Sequence, residues 1–416
     1  MTKLPPSTPG LSRTSVAFPM GGRPVAATVA LSIFAGSAWG LDLGAPTPVQ
    51  VKGKVLQVEA PGLASPGWFD VTGDGKPDLV VGQHANGAVF VYSSNGKGEL
   101  AKARPVKAKK KPVRIPGVCE VPADFGASVH LTDLDGDGRP DLLCGSNMDV
   151  AGGTIQGHMY ALMGKGKGFD KPKILQGNAG RPLAMGAGAA NPLANTASVP
   201  TTVDIDGDGH LDIVSGNTEG TFYLFKGLGK GSFEQQPSAL KGSDGPLKVM
   251  MNSSPAFVDW DGDGDQDLLS GSGLGGVYLF ANTGTLEAPL FAESVTLVEM
   301  PAFSLMPPMG LPKVLGPGVH TRVWAGDRNG DGKPDLLVGD KTTLAIPARG
   351  VSDERATEAY QAFTAALADL AKSAPNSAVD PNAATKWMAK VKALEKTRDK
   401  VVRKVETGLV WEIFQQ

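Results

Sequence analysis

Nine consecutive residues, Asp259-Trp-Asp-Gly-Asp-Gly-Asp-Gln-Asp267, carry five carboxylates and two glycines. Side by side, those charges repel one another unless something cancels them. The same spacing recurs as DVTGDGKPD from Asp70, DLDGDGRPD from Asp133, DIDGDGHLD from Asp204 and DRNGDGKPD from Asp327, with starts 55 to 71 residues apart. Repetition at that period restricts the chain to an array of like supersecondary units. Each loop precedes a short apolar run: LVVGQ, LLCGSN, IVSGN, LLSGS and LLVGD. In four of the units a Gly-rich turn and a second strand follow, as in GTFYLFKG and GGVYLFANTG. A more variable strand lies further on, and another, such as SPAFV or ASVHL, lies before each loop.

Four short antiparallel strands per unit, repeated about an axis, predict an all-β propeller of five four-stranded blades. Composition agrees: 55 Gly and 32 Pro in 416 residues, with only 6% aromatics, describe a chain of many tight turns. In the fifth unit the partner strand is postponed to TGLVWEIFQQ, residues 407 to 416. Between LLVGD and that strand, Ser352 to Lys372 and Pro381 to Val405 show helical periodicity. One apolar stripe is Tyr360, Phe363, Leu367 and Leu370; the other is Trp387, Val391, Leu394, Val401 and Val405. With Ser352 and Asp380 as N-caps, the reading is a helical hairpin, residues 351–405, inserted in the last blade. The propeller then comprises residues 41–350 and 406–416. TPVQVKGKVLQVEAP, near the N-terminus, has no blade of its own and is expected to complete the last one, closing an open edge.

Residues 1–40 read as an export signal: Arg23, the apolar run PVAATVALSIFAG and the small residues of SAWG, with Met20 as an alternative start. The run is shorter than the roughly 20 residues of a spanning helix, so no transmembrane span is expected. The mature protein would be secreted, periplasmic or at the cell surface. Cys119 and Cys144 can form a disulfide there or remain two buried thiols. A net charge of -2 gives no argument for nucleic acid.

Calcium takes six to eight oxygen ligands, often from alternating residues of a Gly-containing loop. Positions one, three, five and nine carry oxygen side chains in all five loops. They are Asp70, Thr72, Asp74 and Asp78; Asp133, Asp135, Asp137 and Asp141; Asp204, Asp206, Asp208 and Asp212; Asp259, Asp261, Asp263 and Asp267; and Asp327, Asn329, Asp331 and Asp335. Position seven varies (Lys76, Arg139, His210, Asp265, Lys333), as expected if only its carbonyl is used. An EF-hand needs a Glu at position twelve and flanking helices; Val81, Cys144, Ser215, Ser270 and Val338 stand there instead. A magnesium-dependent catalytic centre would need one such cluster beside a pocket, and a merely solvated acidic turn would not repeat its oxygen spacing five times. The expectation is about five calcium ions, weaker in loops one and five where Thr72 and Asn329 replace a carboxylate.

The D-x-D-G-D-G-x-P-D-L pattern, followed by Gly and an aromatic strand, resembles the FG-GAP/VCBS repeat family, whose repeats also form the head of integrin α-subunits. The resemblance covers about residues 45 to 341 and the final strand. It implies a propeller with calcium in the loop between the first two strands of each blade.

No HExxH, GxSxG, Walker-type loop or CxxC is present, so no catalytic residue is assigned. The basic segment Lys102 to Arg114 reads as a protected outer edge, with an anionic-polymer patch as its functional alternative. Binding is expected at the end of the ring opposite the acidic loops, where His84, Asn147, Asp149, Asn217 and Glu219 are candidate ligand contacts. The expected function is a protein- or glycan-binding, adhesion-type module outside the cell. The rivals are an exported polysaccharide-degrading, lyase-like enzyme and a structural envelope component.

Overall fold

The structure is a computed structural model that describes residues 42–83, 87–115, 127–146, 156–166, 168–185, 196–302, 306–375 and 380–416. The export signal, Cys119, His84, Asn147 and Asp149 lie outside the described residues.

Five antiparallel sheets follow one another along the chain and form a five-bladed propeller. Blade one is built from Ala64–Phe69, Asp78–Gln83, Val89–Tyr92 and Arg104–Pro105, counted from the axis outward. Blade two has Ser128–Thr132, Asp141–Gly145, Gly157–Leu162 and Lys173–Ile174, with Ala184–Met185 as a fifth short strand beside the third. Blade three has Val199–Val203, Asp212–Gly216, Phe222–Phe225 and Ser238–Ala239; blade four has Ser254–Val258, Asp267–Gly271, Val277–Phe280 and Val295–Val298. Blade five has Val319–Gly326, Asp335–Pro347 and Val402–Ile413, and the N-terminal Thr47–Pro48 and Gln57–Val58 both pair with Val402–Ile413. Three sheets therefore have four strands and two have five, each extra strand being a two-residue addition at the rim.

The second strands explain the ring. Their side chains alternate between the two faces of a sheet, and here both faces are buried. Leu79 and Val81 turn toward blade five and Val80 toward blade two. Leu142 and Cys144 face blade one and Leu143 faces blade three; Ile213 and Val214, then Leu268 and Leu269, divide in the same way. Leu336 and Val338 face blade four, while Leu337 joins Leu79 of blade one. Each interface between neighbouring blades thus has its own apolar cluster, and the fifth interface joins the last blade to the first. Each fully buried Leu or Val at these seams contributes about 1.5–3 kcal/mol over an exposed one.

Glycine sets how closely the blades approach. Gly82, Gly145, Gly216, Gly271 and Gly339 hold one equivalent position of the second strands. A Cβ built there would lie 2.2, 2.0, 2.1, 2.2 and 2.1 Å from the carbonyl oxygens of Ala127, Ser198, Ser253, Thr321 and Ala64, at or near the start of the next inner strand. On the axis, a cavity of about 80 Å³ is lined by residues from all five inner strands. His130 projects there, bonded to Thr202 Oγ1 at 2.9 Å, and burial pushes its pKa down to about 4.

The residue after the last of these glycines is Asp340, fully buried. Its carboxylate accepts from Gly318 N (2.7 Å), Leu409 N (2.8 Å), Thr342 Oγ1 (2.9 Å) and Trp411 Nε1 (3.0 Å). Asp340→Ala strands these donors, and each buried donor left unpaired costs about 1–3 kcal/mol. Chemical denaturation should show the variant losing at least about 3 kcal/mol on that basis, with Trp411 fluorescence reporting a loosened fifth blade.

Beyond Asp340 the two long strands continue as a ribbon, pairing Thr342 with Thr407 through to Pro347 with Val402. Helices α1 (Asp353–Ala371) and α2 (Pro381–Arg398) connect its ends. Ser352 Oγ and Asp380 Oδ1 cap them by accepting from Arg355 N and Ala383 N. Helix α2 stops at Arg398, short of the expected Val405; Val402 to Val405 are strand, which suits β-branched residues better than a helix end. Ala356, Tyr360 and Phe363 of α1 are buried, Ala356 and Tyr360 clustering with Ala345 and Val402 of the ribbon, and Tyr360 Oη donates to Pro307 O at 2.5 Å. The foot of the helical pair is packed on the ribbon, while Trp387 Nε1 bonds Leu370 O between the helices.

The basic segment becomes the outer strand of blade one followed by a small hairpin, Lys107–Ala108 with Lys111–Pro112. No helix among the described residues is long and apolar enough to cross a membrane.

Candidate metal centre: the acidic loops

Every acidic loop joins the inner strand of a blade to its second strand, so all five sit at the same end of their blades. Glycines at positions four and six have positive φ in each copy, between 68° and 98°. That left-handed geometry is open to glycine and turns successive amide N–H groups inward. The position-one carboxylate collects them. Asp70 accepts from Gly73, Asp74 and Gly75 at 2.7, 3.2 and 2.8 Å, and Asp133 accepts from Gly136, Asp137 and Gly138 at 2.9, 3.0 and 2.8 Å. The position-five carboxylate accepts from the position-seven N–H, as in Arg139 to Asp137 (2.9 Å) and Asp265 to Asp263 (3.1 Å).

The four oxygen positions are not equivalent. Position nine opens the second strand and is buried in all five blades. Its carboxylate accepts the N–H that follows the third strand: Ser94 to Asp78, Gly164 to Asp141, Gly227 to Asp212, Asn282 to Asp267 and Gln415 to Asp335, at 2.6 to 3.1 Å. In blades two to five its other oxygen accepts from position two, for example Trp260 N at 2.8 Å. This residue fastens the loop to the sheet as well as facing it. Burial raises the pKa of all five, that of Asp267 to about 6.

Carboxylate oxygens converge within 4.8 Å of one another in three loops: Asp133, Asp135 and Asp141; Asp204, Asp206 and Asp212; and Asp259, Asp261 and Asp263. These are the three loops with a full set of four carboxylates. In loop four, burial and then repulsion from Asp263 raise the pKa of Asp261 and of Asp265. Asp265 Oδ1 is buried without a hydrogen-bond partner. An all-oxygen donor set of high negative charge, with an unpartnered oxygen at its edge, fits a hard divalent cation. In loop five, Asn329 Nδ2 instead donates to Asp331 Oδ2 at 3.0 Å, which meets part of the charge without an ion.

Loop three holds a residue that sequence reading missed. The Lys226 ammonium pairs with Asp206, lies 2.8 Å from Asp208 Oδ2 and 3.8 Å from Asp212 Oδ1. Loop two has a more exposed pairing, Arg139 with Asp137, made by the position-seven side chain of the same loop.

Of the candidate ligand contacts at the other end, Asn217 is fully buried. Its Nδ2 donates to Thr221 Oγ1 at 2.7 Å and its Oδ1 accepts from Thr221 N at 3.1 Å, so it shapes the turn rather than a surface. Glu219 is exposed.

Repeating loops of this geometry on a closed five-bladed ring define a class, the repeat propellers with an acidic loop in every blade. The FG-GAP-like repeat profile matches residues 70–144, 204–270 and 259–338, just over half of the chain, and the chain belongs to that family. Integrin alpha-4 of Xenopus laevis is 32% identical over 160 residues, 36% of this chain and 14% of the integrin. Integrin alpha-7 of Homo sapiens is 28% identical over 166 residues, 38% of this chain and 12% of that protein. The chain therefore spans only about an eighth of the length of these relatives. A solved Agrocybe aegerita lectin, described as recognising non-reducing terminal N-acetylglucosamine, aligns at 17% identity over 68% of this chain and 77% of its own, with a TM-score of 0.32, too low to bear on function.

Proposed function

We propose that this chain is an exported propeller whose acidic loops hold calcium and whose opposite end binds a protein or glycan at the cell surface. Family membership and the converging carboxylates support the calcium arm. In each loop that takes an ion, the side chains at positions one, three, five and nine would supply ligands, with the position-seven carbonyl as a further oxygen. The ion would neutralise the clustered charge and tie the loop to the second strand.

One observation carries the binding arm. Met250, Met251, Leu274 and Met300 are 58, 45, 39 and 50% exposed, and all lie in connections at the end opposite the acidic loops. Met250 O and Met251 O bond Ser272 Oγ and Gly273 N, so two of these connections are fastened together. Exposed apolar side chains grouped on a rigid support mark interaction surfaces. The helical pair leaves the ring from the same end, since it joins the second and third strands of blade five.

Probing arrays of cell-surface glycans and extracellular-matrix proteins with the calcium-loaded chain tests this reading. Binding should be lost in the double variant Met250→Glu, Leu274→Glu, while its melting temperature stays within a degree or two of wild type, as for ordinary surface changes. Binding that survives both substitutions would remove this surface from the proposal. Cleavage of acidic polysaccharides in a parallel screen would favour an enzyme instead.

A further inference from the structure

We infer that the third acidic loop is neutralised by a tethered cation, the Lys226 ammonium, and does not take calcium as its neighbours do. The inference rests on reading the other loops as calcium sites.

Lys226 follows the third strand of its blade, Phe222–Phe225, one residue before the Gly227 N–H that bonds Asp212. The equivalent residue, one before the N–H that bonds the position-nine carboxylate, is Ser93, Met163, Ala281 and Phe414 in the other blades. None of these is charged, so a cation at this position is found in blade three alone; Arg139 of loop two pairs only with Asp137, from a more exposed place. Its ammonium reaches the side chains at positions three, five and nine together: Asp206, Asp208 at 2.8 Å and Asp212 at 3.8 Å. These are three of the four residues that would ligate an ion. The side chain is 26% exposed and Asp212 is fully buried, so the contact is partly shielded from solvent.

The ammonium suits the place chemically. It carries three donors and one positive charge on a flexible stem, and three carboxylates surround it. Calcium would have to displace it into water and then enter the space it leaves. A tethered competitor is present at an effective concentration of millimolar or more whatever the solution contains. A lysine ammonium with its ordinary pKa of about 10.4 is already a cation at neutral pH. The consequence is a blade whose acidic loop stays ordered when calcium is scarce.

The test counts ions. Wild type and Lys226→Met are dialysed against saturating calcium and their bound metal is measured by elemental analysis. The variant, which keeps the apolar stem, should hold one calcium more than wild type. Equal counts in the two proteins would overturn the inference. No bound calcium in either would overturn the underlying reading of the loops, a result distinct from equal non-zero counts. A second comparison in the wild-type background guards against a variant that fails to fold. Asp208→Asn should leave the count unchanged, while Asp263→Asn lowers calcium affinity in loop four. Loss of a calcium on Asp208→Asn, measured at the same free calcium, would also overturn the inference.

Discussion

In excess chelator the protein is expected to melt far below its calcium-saturated temperature. On the proposed reading calcium binds the folded loops and not the unfolded chain, so each site would add RT ln(1+[L]/Kd), about 2.7 kcal/mol when free calcium is a hundredfold above Kd. Several such sites in one cooperative ring make this the largest single perturbation open to the molecule. Differential scanning calorimetry with and without chelator measures it, and identical melting would leave the metal without a structural role. Variants separate two functions of the carboxylates. Asp261→Ala should lose most of its stability difference in calcium and little in chelator. Asp267→Ala should be destabilised in both, because Asp267 also holds Trp260 N and Asn282 N. Thr72→Ala should do less than Asp261→Ala, since it removes a neutral ligand.

Gly145→Ala should be nearly as damaging with no metal involved. The added Cβ would stand 2.0 Å from Ser198 O and 2.6 Å from Pro200 Cδ. Both belong to the backbone or ring of the neighbouring inner strand, which cannot swing aside as a flexible side chain could. Overpacking of a well-filled core usually costs about 1–3 kcal/mol, and a new Cβ driven against backbone that cannot move aside belongs at or above about 3 kcal/mol. Urea titration in saturating calcium would measure it. Gly316→Ala is the control, since its Cβ would meet only Pro46 Cγ at 3.9 Å. If the two variants unfold at the same urea concentration, neighbouring blades are not in tight contact at Gly145.

The blades were legible because each repeats a loop whose spacing is tied to one turn geometry, and because fully apolar second strands imply burial on both faces. The final strand and the N-terminal strand were legible for the same reason: GLVWEIF has the pattern of the third strands, and blade five lacked one. Other features depend on neighbours that no single loop reveals. Position nine looks like one more acid in DWDGDGDQD, yet its partners Trp260 N and Asn282 N make it a strand anchor. Lys226 lies well after its loop and meets it only because the hairpin between second and third strands folds back. Comparing the repeats at that position would have exposed it, as the one charged residue among Ser93, Met163, Ala281 and Phe414. Asn217 looked like a surface contact in GNTEG, but a short polar side chain at such a turn is used up by the turn itself. Val401 and Val405 continued the apolar spacing of a helix by coincidence, and the turn at Asp399 and Lys400 interrupts it.

Joining the last blade to the first has a bearing on the order in which the chain can assemble as it is synthesised. Blades one to four each contain strands close in sequence, so their sheets can form soon after their own residues emerge. Blade five cannot. Its Asp335–Pro347 strand waits for Val402–Ile413, and that strand in turn receives Thr47–Pro48, made long before it. Until then the outer faces of blades one and four lack a neighbour, and Gly339 has no Ala64 carbonyl against it. Contacts across so long a stretch of chain form slowly, and apolar surface left open in the meantime invites association with other chains. The helices Asp353–Ala371 and Pro381–Arg398 lie in that interval. Their local contacts form quickly and bring Pro347 and Val402 close together, shortening the wait for the one strand that turns an arc into a ring.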